Sequence, residues 1–166
     1  EHDEIIAIHI SQGISGTIAS ASAAAKEINS AKITVFDSKS TSVGLEFMVL
    51  EAAELASQGK DMKEIIKRLE YIRDNVKVLF IVNSLEHLRR GGRIGKANAL
   101  IGTILKVKPI LYIYEQVAVF DKVRTEKKAF QRIIEEYETV LKEADSTDNV
   151  KVKLLSVYAD EKVGEL

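Results

Sequence analysis

Short apolar runs of strand length alternate with segments in which apolar residues recur every three or four positions, and that alternation organises the first half of the chain. Glu4 to Ile10 (EIIAIHI) is a continuous apolar run rich in β-branched residues, which predicts a strand buried on both faces. A loop of small residues follows, Ser11 to Ser15. Gly16 to Ile28 then reads as a helix whose many alanines let it pack close to a sheet, and Lys32 to Phe36 (KITVF) as a second short strand. Strand, loop, helix and strand make one βαβ unit with a right-handed crossover. After a second hydroxyl-rich loop, Asp37 to Ser42 (DSKSTS), the spacing predicts a helix over Val43 to Ser57. Another, Met62 to Arg73, is capped by Asp61 and places Ile65, Ile66 and Leu69 on one face.

The second half begins with a buried strand, Val78 to Val82 (VLFIV). Asn83 to Arg93 (NSLEHLRRGGR) predicts a short helix closed by glycines in the left-handed conformation that glycine tolerates best. A helix is expected over Ala97 to Leu105. Pro109 to Tyr114 and Val117 to Phe120 read as the two arms of a hairpin, and Thr125 to Lys142 as a long amphipathic helix with Thr125 as cap. Val150 to Tyr158 alternates like a strand with one exposed face, and the final DEKVGEL reads as the start of a helix cut short. No internal repeat or low-complexity linker interrupts the pattern. The weakest boundary falls near Arg73 to Lys77, between the βαβ half and the hairpin-containing half.

Composition adds bounds to this α/β picture. A chain of 166 residues accommodates one ordinary domain or two small ones. With 46% hydrophobic and 30% charged residues it is expected to form a globule with a sizeable core. The net charge of −1 supplies no global field to recruit nucleic acid or an acidic membrane. The absence of cysteine excludes disulfides, thiolate metal sites and thiol catalysis. No basic segment precedes an apolar core at the start, and no apolar run reaches the roughly 18 residues of a membrane span, so a soluble cytoplasmic protein is expected. A start without Met that runs almost directly into a strand implies that an upstream segment is missing.

The loop SQGISGT, residues 11 to 17, is the first candidate site. It lies between a strand end and a helix start, where free N–H groups and the helix dipole favour an anion. It carries neither GxGxxG nor GxxxxGK[ST], since its only glycines are Gly13 and Gly16 and it has no lysine. A carboxylate fits it as well as a phosphate. A nucleophile elbow is disfavoured because GxSxG is absent and no histidine follows His87. The three histidines, His2, His9 and His87, form no metal constellation; His9 reads as a satisfied core or loop-facing residue and His87 as a helix-surface residue. The second unusual feature is the basic cluster Arg89, Arg90, Arg93 and Lys96 around Gly91-Gly92. Arg89 and Arg90 suit a solvated helix end, where cations complement the dipole. Arg93, framed by glycine and Ile94, reads as a ligand or structural anchor, since its planar fork suits a carboxylate or phosphate. Four local cations without interleaved aromatics do not suggest nucleic acid.

Several motifs together resemble one family. EIIAIHISQGISGTIASA is similar to the strand and loop of DegV-family proteins, an apolar strand followed by I-S-x-x-[LI]-S-G-T. VFDSKSTSVG resembles that family's V-x-D-S motif. LEHLRRGGRIGKANALIGTILKVKPIL resembles its L-x-x-L-x-x-G-G-R-I and G-x-x-L-x-[IV]-K-P-[IL], and DKVRTEKKA its K-V-R-[GT]-x-x-K-A. Four pieces in order across residues 4 to 129 make the resemblance specific.

The resemblance implies a two-domain α/β fold: residues 1–75 as the second half of a three-layer α/β/α domain with a parallel sheet, and 76–166 as most of a smaller two-layer domain with a mixed sheet. It implies a protein that buries a long-chain fatty acid in a tunnel and has no cofactor, metal or catalytic residue of its own. An ATP-dependent fatty acid kinase subunit would be its partner and would form the acyl phosphate. Transient contact with a membrane surface belongs to the same picture. The carboxylate site would comprise Ser11, Gln12, Gly13, Ser15, Gly16, Thr17 and Arg93, with Asp37, Ser38, Ser42, Gly92 and Ile94 as secondary candidates. Gln12 stands where many relatives have serine, so either Ser11 or Ser15 could supply the hydroxyl. Full-length members are longer, and the resemblance implies that segments contributing a threonine and a histidine to the site would lie outside these 166 residues. Rival expectations are a small phosphotransferase using the SGT loop, and a regulatory domain docking through RRGGR.

Overall fold

The computed structural model describes residues 4–100, 107–144 and 150–155. The chain forms two compact units, Glu1–Ala129 and Phe130–Leu166. The first unit opens with β1 (Glu4–His9), α1 (Thr17–Glu27) and β2 (Lys32–Asp37), and β1 pairs with β2 in parallel from Glu4↔Lys32 to His9↔Asp37. Helices α2 (Ser42–Ser57) and α3 (Met62–Asn75) follow. Asp61 begins α3 with a reciprocal cap: its Oδ1 accepts from the Glu64 N–H at 2.8 Å, and the Glu64 carboxylate accepts from the Asp61 N–H at 3.3 Å. Such a cap stabilises a helix by about 1 kcal/mol.

The core of this half consists of Phe36, Met48, Ala52, Ile65 and Leu69, with Ile6 and Ile8 packed against it. One face of β1 and β2 is therefore covered by α2 and α3. The strand β1 is less buried than its apolar run predicts: Ile5 is 41% exposed. Among the described residues β1 has a strand neighbour on one edge only, and a groove of about 420 Å³ lies beside it, lined by Ile6, Ile8, Val49, Ala52 and Ile65 among others.

The rest of the first unit is built on an antiparallel sheet in the order β3 (Val78–Ile81), β4 (Lys108–Tyr114), β5 (Gln116–Val123). Between β3 and β4 lie the short helix α4 (Glu86–Arg90) and a 3-10 turn over Gly95–Leu100. The helix expected over Ala97 to Leu105 is thus this tighter turn as far as residue 100, and 101–106 lie outside the described residues. Ile94, Ala97, Leu111 and Val117 form the core here, joined by Phe80, Val82 and Leu85. All three described strands are antiparallel, and a parallel member that would make the sheet mixed does not occur among the described residues.

Helix α5 (Glu126–Glu143) starts at the end of the first unit and continues into the second. Its start is capped as expected, with Thr125 Oγ1 accepting from the Lys128 N–H at 3.3 Å. Residues 150–155, expected as the first part of a strand, form none, and Val152, Leu154 and Leu155 are exposed. Alternation supplies the two faces of a strand but does not by itself build a ladder, and these residues belong to neither of the described sheets. The remainder of that expected strand and the DEKVGEL segment lie outside the described residues.

Candidate functional site

The loop Ser11–Thr17 leaves the carboxyl end of β1 and folds over its first residue. The Ser11 N–H donates to the Ser40 carbonyl at 2.9 Å, and the N–H groups of Ile14 and Ser15 both donate to the Ser11 carbonyl at 3.1 Å. The Ser11 hydroxyl is fully buried; it donates to the Glu115 carbonyl at 2.7 Å and accepts from the Gly13 N–H at 3.1 Å. Gly13 is required here by close approach, because a Cβ at that position would collide with the Glu115 carbonyl. Gln12, Gly13, Gly16 and Thr17 are exposed. The hydroxyls of Ser15 and Thr17 lie 2.7 Å apart and the Thr17 N–H donates to Ser15 Oγ at 3.3 Å, so Ser15 takes up one of the N–H groups at the start of α1. Those of Ile18 and Ala19, in the same first turn, have no acceptor within the helix by its geometry.

The second hydroxyl-rich loop, Asp37 to Ser42, is closed on itself. Ser38 is 0% and Ser40 2% exposed. Ser38 Oγ donates to the Ser40 carbonyl at 3.1 Å and accepts from the Ser40 N–H at 3.2 Å, while the Ser38 N–H donates to the His9 carbonyl at 3.1 Å. The Lys39 N–H donates to Asp37 Oδ1 at 2.9 Å. Ser42, exposed and with φ of 50°, begins α2. Asp37 Oδ2 and His9 Nε2 are buried without a hydrogen-bond partner on the register-paired ends of β1 and β2. His9 Nε2 thus departs from the satisfied side chain expected of a core or loop-facing histidine, because a strand-end position can bury the ring edge without bringing a polar partner to it.

Glu115, at the turn between β4 and β5, joins the two loops. Its N–H donates to the Lys39 carbonyl at 2.8 Å, its carbonyl accepts from Ser11, and its carboxylate pairs with Lys39 Nζ at 2.7 Å. Lys39 Nζ also lies 5.2 Å from the Tyr114 ring centroid. The hydrogen bond from Lys39 holds the Glu115 carboxyl below its ordinary pKa, and the same bond raises Lys39. Both residues have left-handed backbones, φ 51° for Lys39 and 63° for Glu115, a conformation that costs roughly 1–2 kcal/mol in a non-glycine residue. Neither residue stands out in the sequence. The dipeptide Glu-Gln between two strand patterns signals a turn, whereas its contacts with residues 11 and 39 depend on how the sheets meet.

Arg93 reaches the first loop from the other half of the chain. Its Nε donates to the Ile14 carbonyl at 3.2 Å, across 79 residues of sequence, and its Nη1 donates to the Gly91 carbonyl at 2.5 Å. Gly92 has φ of 71° and turns the chain after α4, whereas Gly91 stays right-handed at φ −73°, so only one of the two expected left-handed glycines occurs. Ile94, buried in the second core, anchors the segment beside Arg93. Arg89 and Arg90 pair with Glu86, both at 2.7 Å, and these bonds hold its carboxyl at about 2. They form a solvated helix end, as their position suggested, and His87 is exposed on the same helix.

The groups gathered at the first loop are a mutually bonded pair of accessible hydroxyls, the first N–H groups of α1 and a guanidinium bonded to the Ile14 carbonyl, all of them groups that can donate to an anion. No cluster suited to a metal ion occurs among the described residues. Nor does any described helix have the length and hydropathy to cross a membrane.

The structure is that of an α/β protein with a loop of hydroxyls and glycines at a strand-to-helix junction. Over residues 1–166 the sequence matches the family model described as "Uncharacterised protein, DegV family", and the chain belongs to that family. It is 41% identical over 161 residues to Protein DegV of Bacillus subtilis, covering 96% of this chain and 56% of that one. Among solved structures it is similar to a DegV family protein from Thermus thermophilus described as fatty acid binding (TM-score 0.79, 39% identity, 84% of this chain and 50% of that one). It is also similar to DegV from Bacillus subtilis, described as a fatty acid binding protein (TM-score 0.76, 42% identity, 85% and 51%). The chain spans about half the length of these relatives.

Proposed function

We propose that the protein binds a long-chain fatty acid and has no reaction of its own. The carboxylate is held at the Ser11–Thr17 loop with Arg93, the acyl chain is buried against apolar side chains, and the head group is presented to an ATP-dependent kinase partner. That partner catalyses attack of a carboxylate oxygen on the γ-phosphorus of ATP, releasing ADP and leaving an acyl phosphate. The single observation that carries this reading is the bond from Arg93 to the Ile14 carbonyl, which puts a guanidinium on a loop that also carries the Ser15–Thr17 hydroxyl pair and the first N–H groups of α1. The likeness to solved relatives described as fatty acid binding supports it. Within the loop, Ser11 is fully buried and bonded to the Glu115 carbonyl, whereas the Ser15–Thr17 hydroxyl pair is accessible, so we assign the head group to Ser15, Thr17 and the adjoining amides, the carboxylate replacing the bond between the two hydroxyls.

The test is to denature protein purified from a bacterial host, extract it with organic solvent and analyse the extract by mass spectrometry. A stoichiometric C14 to C18 acid is expected. Each buried methylene contributes about 0.8 kcal/mol, so a C16 acid should bind at least about a hundredfold tighter than a C8 acid; equal affinities would sink the buried-chain idea. Arg93→Ala should weaken a C16 acid by about tenfold more than the matching alcohol. ATP turnover by the purified protein without a partner would instead favour a phosphotransferase that uses the loop for phosphate.

A further inference from the structure

We propose that the Lys39–Glu115 pair is a positioning clasp that sets the loop Ser11–Thr17 at the height needed to recognise a carboxylate; the inference rests on the fatty acid reading above. Glu115 bonds to both strand-end loops at once, through its carbonyl to Ser11 and its N–H to Lys39, and its carboxylate closes on the Lys39 ammonium at 2.7 Å. The first loop rests directly on this turn, because Gly13 leaves no room for a side chain above the Glu115 carbonyl. The turn therefore cannot move without carrying Ser11, and the carbonyl of Ser11 in turn fixes the N–H groups of Ile14 and Ser15. Arg93 bonds the same segment at a second point, through the Ile14 carbonyl. The loop is thus held by two contacts, and the turn that makes one of them is itself tied to the second loop by an ion pair between two residues whose left-handed backbones are unusual for their side chains.

A clasp and a simple electrostatic contribution predict different signs. Glu115→Gln frees a cation beside the loop, and Lys39→Met frees an anion. If the pair acted only through its charge, the first variant would strengthen binding of a carboxylate and the second would weaken it. If the pair positions the loop, both weaken it. The measurement is the affinity of the full chain and its variants for palmitic acid and for hexadecanol, by fluorescence displacement at one ionic strength.

Both variants are expected to lower the acid-to-alcohol affinity ratio by about fivefold, the scale of one ion pair, with alcohol affinity within about twofold of the parent. The exchanged double variant Lys39→Glu with Glu115→Lys is expected to recover most of the ratio. Opposite signs, an unchanged ratio, or parallel loss of acid and alcohol binding would overturn the clasp. If the parent protein bound neither compound, the fatty acid reading itself would fail and the clasp with it. A parent that binds the acid while the ratio stays unchanged removes the clasp alone.

Discussion

The two loops that follow β1 and β2 have similar composition and opposite behaviour. Both come off the carboxyl end of a parallel strand, both are rich in serine and threonine, and both precede a helix. In the Asp37–Ser42 loop the central hydroxyls are buried and bonded within the loop, Ser38 to Ser40 in both directions. In the Ser11–Thr17 loop only Ser11 is fully buried, while Ser15 and Thr17, bonded to each other, stay accessible on a segment that Arg93 holds through the Ile14 carbonyl. Hydroxyl content alone thus marks a loop able to satisfy strand and helix ends; under the proposed function, the head group would fall to the hydroxyls that remain accessible.

The comparison can be broken most severely by overfilling the closed loop. A Cβ at Gly44 would collide with the Ser40 side chain and with Val78, so Gly44→Val is expected to destabilise the protein by about 2–3 kcal/mol in chemical denaturation. Stability equal to the parent would show that this loop is not tightly packed.

Next come the serines that serve structure. Ser38→Ala leaves the Ser40 N–H, and Ser11→Ala the Glu115 carbonyl, short of a partner; each should cost about 1–2 kcal/mol. Ser15→Ala should change stability by less than about 0.5 kcal/mol. If Ser15→Ala proved the most damaging of the three, the roles assigned within the loop would be reversed.

A smaller effect sharpens the contrast through binding. Ser15→Ala should lower palmitic acid affinity by about fivefold, while Ser38→Ala leaves it within about twofold once the protein is folded. Equal losses, measured by titration calorimetry, would place ligand duty on neither loop.

The least effect belongs to the surface pair at α4, which serves as a control for both loops. Glu86 has its carboxyl lowered from 4.5 to about 2 by Arg89 and then Arg90. A depressed folded pKa contributes stability above the unfolded value and loses it as pH falls through the folded value, so the window runs from 4.5 down to about 2. Glu86→Gln should flatten the acid limb of the stability profile slightly in that window and leave fatty acid affinity unchanged. A change in affinity would implicate the basic patch in the site.

Much of the architecture was legible because it is written in short windows. The periodicity of Met62 to Arg73 and the Asp61 cap produced α3, with Ile65 and Leu69 buried as the spacing required. The same holds for the βαβ unit and for the hairpin around residue 115. Residues 150–155 failed the pattern because alternation is satisfied without a neighbouring strand, and β1 is less buried than its composition implies because one of its edges is unpaired among the described residues.

Sequence alone was enough for most of the strands and helices, though not for the 3-10 turn over Gly95–Leu100 or for residues 150–155, and for where a loop of hydroxyls and glycines would sit and for setting Arg93 apart from Arg89 and Arg90. The tertiary structure was needed to show that Ser11 is bonded across 104 residues to Glu115, that Arg93 bonds the loop from 79 residues away, and that Glu115 pairs with Lys39 of the second loop. The physical reason is range. Helix and strand signals arise from neighbours a few positions apart, whereas these bonds exist only where two separately formed sheets bring their loops within hydrogen-bonding distance.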